Sequence, residues 1–450
     1  MIRKGLPAMH ISNVSALHGT ITVPGDKSIS HRSVMLGAIS EGSTYVRGFL
    51  KSADCLATID CFRRLGVDIR ETENGSHFQE ADPGEPILVI RGAGLHGLKD
   101  PGSAPLDAKN SGTTTRLMSG ILAGQPFVSH LTGDSSLQKR PMARIIRPLA
   151  DMGISVVSDH GNNCVPLTIT GGKPKGIHYT SPVASAQVKS CVLLAGLYAD
   201  EPTFFTEPSL SRNHTELMLQ SFGGNLKTRK KADSDAVTTI LYPNTILRGQ
   251  DVRVPGDISS AAYFLAAALL VPGSEVTLRN VGINTTRDGI LRVIRAMGGD
   301  MELGNVRMEG REPVADITVR ASRLHGTDIG GALIPTLIDE IPVIAVMAAA
   351  ADGVTTIRDA AELKVKESDR LHEIVTDLRL MGITVDETDD GMVITGGRLR
   401  SAAIDPKGDH RLAMAFAVAG LIARNGVDIE NSECVSVSYP EFFHDLYSLS

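Results

Sequence analysis

The feature that most constrains this chain is a bulky residue followed by glycine, recurring five times where a helix-like pattern gives way to an alternating one. The copies are Leu65-Gly66, Met152-Gly153, Phe222-Gly223, Met297-Gly298 and Met381-Gly382. Glycine just past a helix supplies the left-handed residue that ends it. Short strand patterns precede these helices, among them Thr44–Phe49, Val128–Thr132, Glu275–Asn280 and Thr355–Arg358. A sixth strand at Val427–Glu430 leads to a last helix at Pro440–Leu449, where the chain stops before its glycine. A second set of helices interleaves, with small polar starts near Ser28, Gly112, Ser185, Ser259, Asp339 and His410. Their bodies, such as Gln187–Ala199 and Leu412–Ala423, are apolar nearly all round, which places them inside a core. The period is roughly 75 residues, and a repeat on that scale means one supersecondary unit used many times.

Six units divide into two halves of three. The tetrapeptide Val-Pro-Gly-Asp occurs at 23–26 and again at 254–257 and marks the crossovers. The expected fold is therefore α/β, with residues 1–22 plus 252–450 as one discontinuous domain and 23–251 as the other. If the three buried helices of each half run parallel, their N-termini converge. Two such halves facing each other make a cleft suited to anions.

Composition narrows the function classes. The formal net charge of −6 argues against a general nucleic-acid binder. The five cysteines lack CxxC spacing, which fits free thiols in a reducing, cytoplasmic setting and gives no zinc signature. The longest apolar runs are about a dozen residues, too short to cross a bilayer. Met1–His10 has no long apolar run, so no signal peptide is expected.

The unusual residues gather at the polar helix starts. In Val23–Arg32, Asp26 or Ser28 caps a helix that carries Lys27, Ser28 and Arg32 on its first turns. It is not a Walker loop, because Asp26 intervenes between Gly25 and Lys27. Lys109–Thr114 opens the second buried helix, and Gly112 there lets an anion approach backbone N–H groups. A plain Asn110 cap explains that stretch equally well, and Arg116 reads as a brace. Lys139-Arg140-Pro141 opens an outer helix, with Pro141 suited to its first position and Pro148 expected to kink or restart it. Ser185-Ala186-Gln187 opens the third buried helix, and Arg212 precedes another. Asp339-Glu340 opens the fifth, where carboxylates are most often caps. Lys364–Arg370 is a dense charge cluster ahead of the stripe Leu371, Ile374, Val375 and Leu378. Glu367 and Arg370 share a helix face, which an ordinary ion pair explains. Arg411 lies on the first turn of the sixth. Taken together these cations suit a polyanionic ligand, with Asp339 and Glu367 as candidate acid–base groups. The residues alone stop at an enzyme acting on anionic substrates.

Seven stretches resemble the 5-enolpyruvylshikimate-3-phosphate (EPSP) synthase family, in the family's order: Pro24–Arg32, Asn110–Arg116, Lys139–Pro141, Ser185–Gln187, Asp339, Val365–Arg370 and Asp409–Arg411. The resemblance implies two inside-out α/β barrel domains, each of three βαβαββ-type repeats with buried parallel helices, and an active site in the cleft between them. It implies transfer of the enolpyruvyl group of phosphoenolpyruvate to the 5-hydroxyl of shikimate 3-phosphate, without metal or organic cofactor, by a cytoplasmic monomer. Lys27, Ser28, Arg32, Ser185, Ala186, Gln187, Arg212, Asp339 and Lys366 are implied for shikimate 3-phosphate. Lys27, Gly112, Arg140, Gln187, Arg370 and Arg411 are implied for phosphoenolpyruvate. Asp339, Glu367 and Lys27 are the implied catalytic groups. Ala186 stands where some relatives carry a second serine, and Ser436–Pro440 lacks a lysine found there in some members. The related UDP-N-acetylglucosamine enolpyruvyl transferases differ: they resemble this chain less at Gly25–Ser28 and use a loop cysteine, whereas the nearest cysteine to Arg140 here is Cys164. A non-catalytic anion-binding repeat scaffold is the alternative outside enzymes, and it leaves Asp339 and Glu367 dispensable.

Overall fold

The computed structural model describes residues 8–72, 86–232, 234–243 and 245–450. It falls into two compact units. One joins Gly25–Val254 with Glu309–Glu312; the other joins the segment ending at Pro24 with Pro255–Met308 and Pro313–Ser450. Each has its own apolar core.

The second repeat of the Gly25–Val254 unit shows the pattern. A short strand Leu106–Asp107 leads to the buried helix Gly112–Ala123, then strand Val128–Thr132, outer helix Ala143–Asp151, and strands Ser155–Ser158 and Leu167–Thr170. The first strand pairs parallel to the second, which pairs antiparallel to the fourth, which pairs antiparallel to the third. The same sheet order recurs around helix Ala186–Gly196, with His178–Thr180 before it as the parallel edge strand. It recurs again around helix Lys27–Ala38, where Asp251–Arg253 supplies the parallel edge strand. Burial alternates along the strands, as at Leu167–Thr170, so one sheet face packs inward and the other meets water. The three long helices lie inside.

The other unit repeats the plan. Helices Ile258–Leu270, Ile341–Ala350 and His410–Gly420 are buried almost end to end. In the last sheet Met9–Ile11 pairs antiparallel with Val427–Ile429 and takes the place of the missing final strands.

All five glycines after the outer helices have left-handed φ: 84° at Gly66, 84° at Gly153, 95° at Gly223, 80° at Gly298 and 81° at Gly382. A side chain there meets a steric penalty that glycine avoids. Small residues also set how closely the inner helices approach. A Cβ on Gly120 falls 2.2 Å from the Cys191 carbonyl oxygen of the neighbouring buried helix.

Four buried helices start with a side-chain cap. Asp26 accepts from the Ile29 N–H at 2.8 Å, Ser111 from Thr114 at 3.1 Å, Asp257 from Ser259 at 2.9 Å and Asp409 from Arg411 at 2.9 Å. The cap of the second is thus Ser111, not Asn110. Asp339 is not a cap either; it sits in the turn before Ile341.

One proline expectation, at Pro141, is corrected. Pro141 does not open the outer helix, which starts at Ala143. Asp134 accepts from the Ser136 and Leu137 N–H groups, and a 3₁₀ turn forms at Leu137–Lys139 instead. The Met142 N–H is bound at 2.7 Å by the Asn163 carbonyl. Pro148 neither ends nor restarts that helix, which runs unbroken to Asp151 with Pro148 buried on its apolar face. One backbone bond is forgone near the first turn, and burial beside Ile145 and Leu149 offsets it.

Candidate active site

In the Gly25–Val254 unit, polar side chains tie the starts of the three buried helices together. Gln187, on the third, accepts from Arg116 Nη1 of the second at 2.6 Å and donates to Thr113 Oγ1 at 3.2 Å. Arg116 Nη2 also reaches the Pro141 carbonyl at 3.3 Å. Arg140 donates to Asn110 Oδ1 at 2.8 Å, which brings its guanidinium over the start of the second helix. Gly112 lies between them: a Cβ there stands 3.0 Å from Arg116 Nη1 and 3.6 Å from Arg140 Nη1.

Arg32, one turn into the first helix, is 4% exposed. Its Nε donates to Thr215 Oγ1 at 2.7 Å, Nη1 to the Ser28 carbonyl at 2.9 Å and Nη2 to Ser190 Oγ at 3.0 Å. Burial pulls its pKa down to about 10, with Glu216 opposing that fall and Arg212 adding to it. The charge of Arg212 disfavours that of Arg32, while Glu216, Asp26 and Glu312 favour it. Lys27 is the first residue of its helix and pairs with Asp54, a mostly buried carboxylate on the outer helix Ala53–Arg64. Ser28, Ser185, Ala186 and Gln187 are all half-buried at helix starts.

The other unit collects the carboxylates. Asp339 Oδ1 lies 3.6 Å from Lys366 Nζ and 3.5 Å from Arg370 Nη1, and its Oδ2 lies 4.0 Å from Arg411 Nη2. Arg411 also donates to the Asp339 carbonyl at 3.3 Å. Arg370 pairs with Glu367 and holds Asp409 at 2.7 Å. Burial works against the charges of Arg370 and Arg411. Asp409 and Glu367 for the first, and Asp339 for the second, outweigh it and raise both pKa values. Both stay cationic at any physiological pH. Glu367 keeps a side chain 30% exposed, so it can meet a ligand while paired.

Each unit thus gathers its share of the expected residues: Lys27, Ser28, Arg32, Gly112, Arg140, Ser185, Ala186, Gln187 and Arg212 in one, Asp339, Lys366, Glu367, Arg370 and Arg411 in the other. Asp54 goes unmarked in the sequence, because it looks like any first-turn carboxylate. Arg287 is equally unmarked; it donates to Ser259 at 2.7 Å and Asp257 at 3.2 Å, with Glu340 at 3.9 Å. No group of three or more metal-ligating side chains occurs among the described residues. No helix there is long and apolar enough to cross a membrane.

Helix starts rich in arginine, with carboxylates set among cations, define an α/β enzyme for small anionic substrates. A sequence model of the EPSP synthase family (3-phosphoshikimate 1-carboxyvinyltransferase) matches residues 11–446. The 3-phosphoshikimate 1-carboxyvinyltransferase of Geobacillus kaustophilus is 53% identical over 97% of this chain and 99% of its own length. That of Desulforamulus reducens is 51% identical over 96% and 97%. The structure of EPSP synthase from Acinetobacter baumannii superposes with a TM-score of 0.84 at 42% identity, covering 98% of this chain and 97% of that one. The chain belongs to the EPSP synthase family, with the family's α/β fold.

Proposed function

We propose that this enzyme transfers the enolpyruvyl group of phosphoenolpyruvate to the 5-hydroxyl of shikimate 3-phosphate, releasing phosphate, on the route to aromatic amino acids. Asp339 takes the proton of the 5-hydroxyl as the oxygen attacks C2 of phosphoenolpyruvate. Glu367 delivers a proton to the methylene carbon, and a tetrahedral ketal results. Glu367, ionised by the addition step, then takes one of the three equivalent protons of the new methyl group as phosphate departs, which restores the double bond. Lys27 and Lys366 assist these transfers. Arg140, Arg370, Arg411 and Gln187 hold phosphoenolpyruvate against the backbone at Gly112. Ser28, Arg32, Ser185, Ala186, Gln187 and Arg212 hold shikimate 3-phosphate, with Lys27, Asp339 and Lys366.

The observation that carries the reading is Asp339, a carboxylate with three cations within 4.0 Å. Such surroundings favour its ionised form and stabilise charge that develops on neighbouring oxygens. The enzyme acts as a cytoplasmic monomer. Free thiols at Cys55, Cys61, Cys164, Cys191 and Cys434 suit a reducing compartment.

Phosphate release tests the reading directly. Turnover with phosphoenolpyruvate and shikimate 3-phosphate, and none with UDP-N-acetylglucosamine, is the expected result. The reverse preference would reassign the substrate.

A further inference from the structure

Lys189 lies one turn inside the third buried helix and is fully buried. Its Nζ is 2.7 Å from Glu207 and 2.7 Å from Glu216. A buried lysine with two carboxylates is a costly way to fill space that a methionine could occupy. What it does beyond filling space is visible at Ser211. Lys189 Nζ donates to the Ser211 carbonyl at 3.2 Å, and Glu207 accepts from the Ser211 N–H at 3.1 Å. Glu207 ends the strand Thr203–Glu207, and Glu216 lies on the first turn of helix His214–Ser221. Between these elements runs the loop 208–213. One buried ion pair therefore grips both backbone groups of the residue that precedes Arg212.

The flanking residues hold Arg32. Ser190, next to Lys189, accepts from its Nη2, and Thr215, next to Glu216, accepts from its Nε. Ser190 and Thr215 hydroxyls are themselves 2.6 Å apart. The charged cluster and the Arg32 cradle are thus built from the same two helices.

We propose that Lys189 is a positioning residue for Arg212: with Glu207 it clamps the Ser211 peptide, so that Arg212 meets the phosphate of shikimate 3-phosphate from a fixed position. This rests on the role proposed above for Arg212. Lys189 does not touch substrate. It acts through the loop, and phosphoenolpyruvate binding does not depend on it.

The test is Lys189→Met in the full chain, read in two ways. Hydrogen exchange at the Ser211 and Arg212 amides should speed up by about tenfold or more. The KM for shikimate 3-phosphate should rise by about tenfold, with the KM for phosphoenolpyruvate within about twofold of wild type. Lys189→Met combined with Arg212→Ala should be no worse for shikimate 3-phosphate than Arg212→Ala alone, because both changes act on one contact. Should Lys189→Met fail to fold, Lys189→Met/Glu216→Gln removes a cation and a carboxylate together while leaving Glu207 in place. The same three readings then apply to it. Unchanged exchange at Ser211, or effects on KM that add to those of Arg212→Ala, would overturn the inference. A wild-type enzyme with no turnover of shikimate 3-phosphate would instead overturn the substrate assignment, and the exchange measurement would still decide the clamp.

Discussion

Gln187 Oε1 accepts a hydrogen bond from Arg116 Nη1 at 2.6 Å, which locks the amide of one buried helix to the guanidinium of the next. The amide can then turn only one way, with Nε2 towards Thr113. Arg116→Lys keeps the charge but cannot serve Gln187 and the Pro141 carbonyl together, since a point charge lacks the planar fork. The KM for phosphoenolpyruvate should rise roughly fivefold to tenfold, with a smaller loss in kcat. Steady-state kinetics at saturating shikimate 3-phosphate measures this.

Glu367→Gln keeps the size of the side chain and a hydrogen bond to Arg370 but removes the acid–base function. Turnover should fall by about a hundredfold or more, as for a lost general acid, while equilibrium binding of shikimate 3-phosphate stays near wild type. Near-normal turnover would leave Glu367 as no more than the partner of Arg370.

Gly112→Ala places a methyl group against the guanidinium groups of Arg116 and Arg140, 3.0 and 3.6 Å from their nearest nitrogens. A ligand longer than phosphoenolpyruvate has least room to yield, so discrimination arises by clash. Glyphosate should compete with phosphoenolpyruvate in the wild type. In Gly112→Ala its inhibition constant should rise by about tenfold or more, roughly 1.4 kcal/mol, with less change for the substrate. Inhibition curves for both proteins at matched phosphoenolpyruvate decide it.

Asp377 gives a pH-dependent test of stability. It is buried in helix Arg370–Leu380, and its Oδ2 has no hydrogen-bond partner among the described residues. Burial, with Glu373 and Asp405 adding and Lys407 opposing, lifts its pKa from 3.8 to about 7. The folded state then holds a proton that the unfolded state has released. The contribution to stability is intact below about pH 4 and is lost as pH rises through about 7. Thermal melts of wild type and Asp377→Asn should diverge as pH goes from 5 to 8, with the variant gaining. A constant difference across that range would mean Asp377 titrates normally.

The repeat was legible because two of its marks are local. Glycine after Leu65, Met152, Phe222, Met297 or Met381 needs only its own φ to end a helix, and a helix apolar all round must be inside. The charged cluster around Asp339 was half legible. Lys366, Glu367 and Arg370 are close in sequence, but the approach of Asp339 and Arg411 to them depends on packing between repeats. Pairings over long separations left no trace. Lys27 with Asp54, Arg287 with Asp257 and Lys189 with Glu207 each join residues whose sequence neighbourhoods look ordinary. Lys189 was hidden by the apolar residues around it. Pro141 misleads for one reason: Asp134 and the Asn163 carbonyl, rather than the preference of proline for a first turn, decide where the helix begins.

The strand Met9–Ile11 finds its partner only at Val427–Ile429. During synthesis on the ribosome, Gly25–Val254 has emerged complete while this strand still waits for more than half of its own unit. Contacts closed over so long a span form late and slowly. Ile11, fully buried in the finished protein, lacks its partner Val427 throughout that interval. A nascent chain stalled before Val427 would present that strand, with its unpaired edge, to chaperones or to other copies of itself.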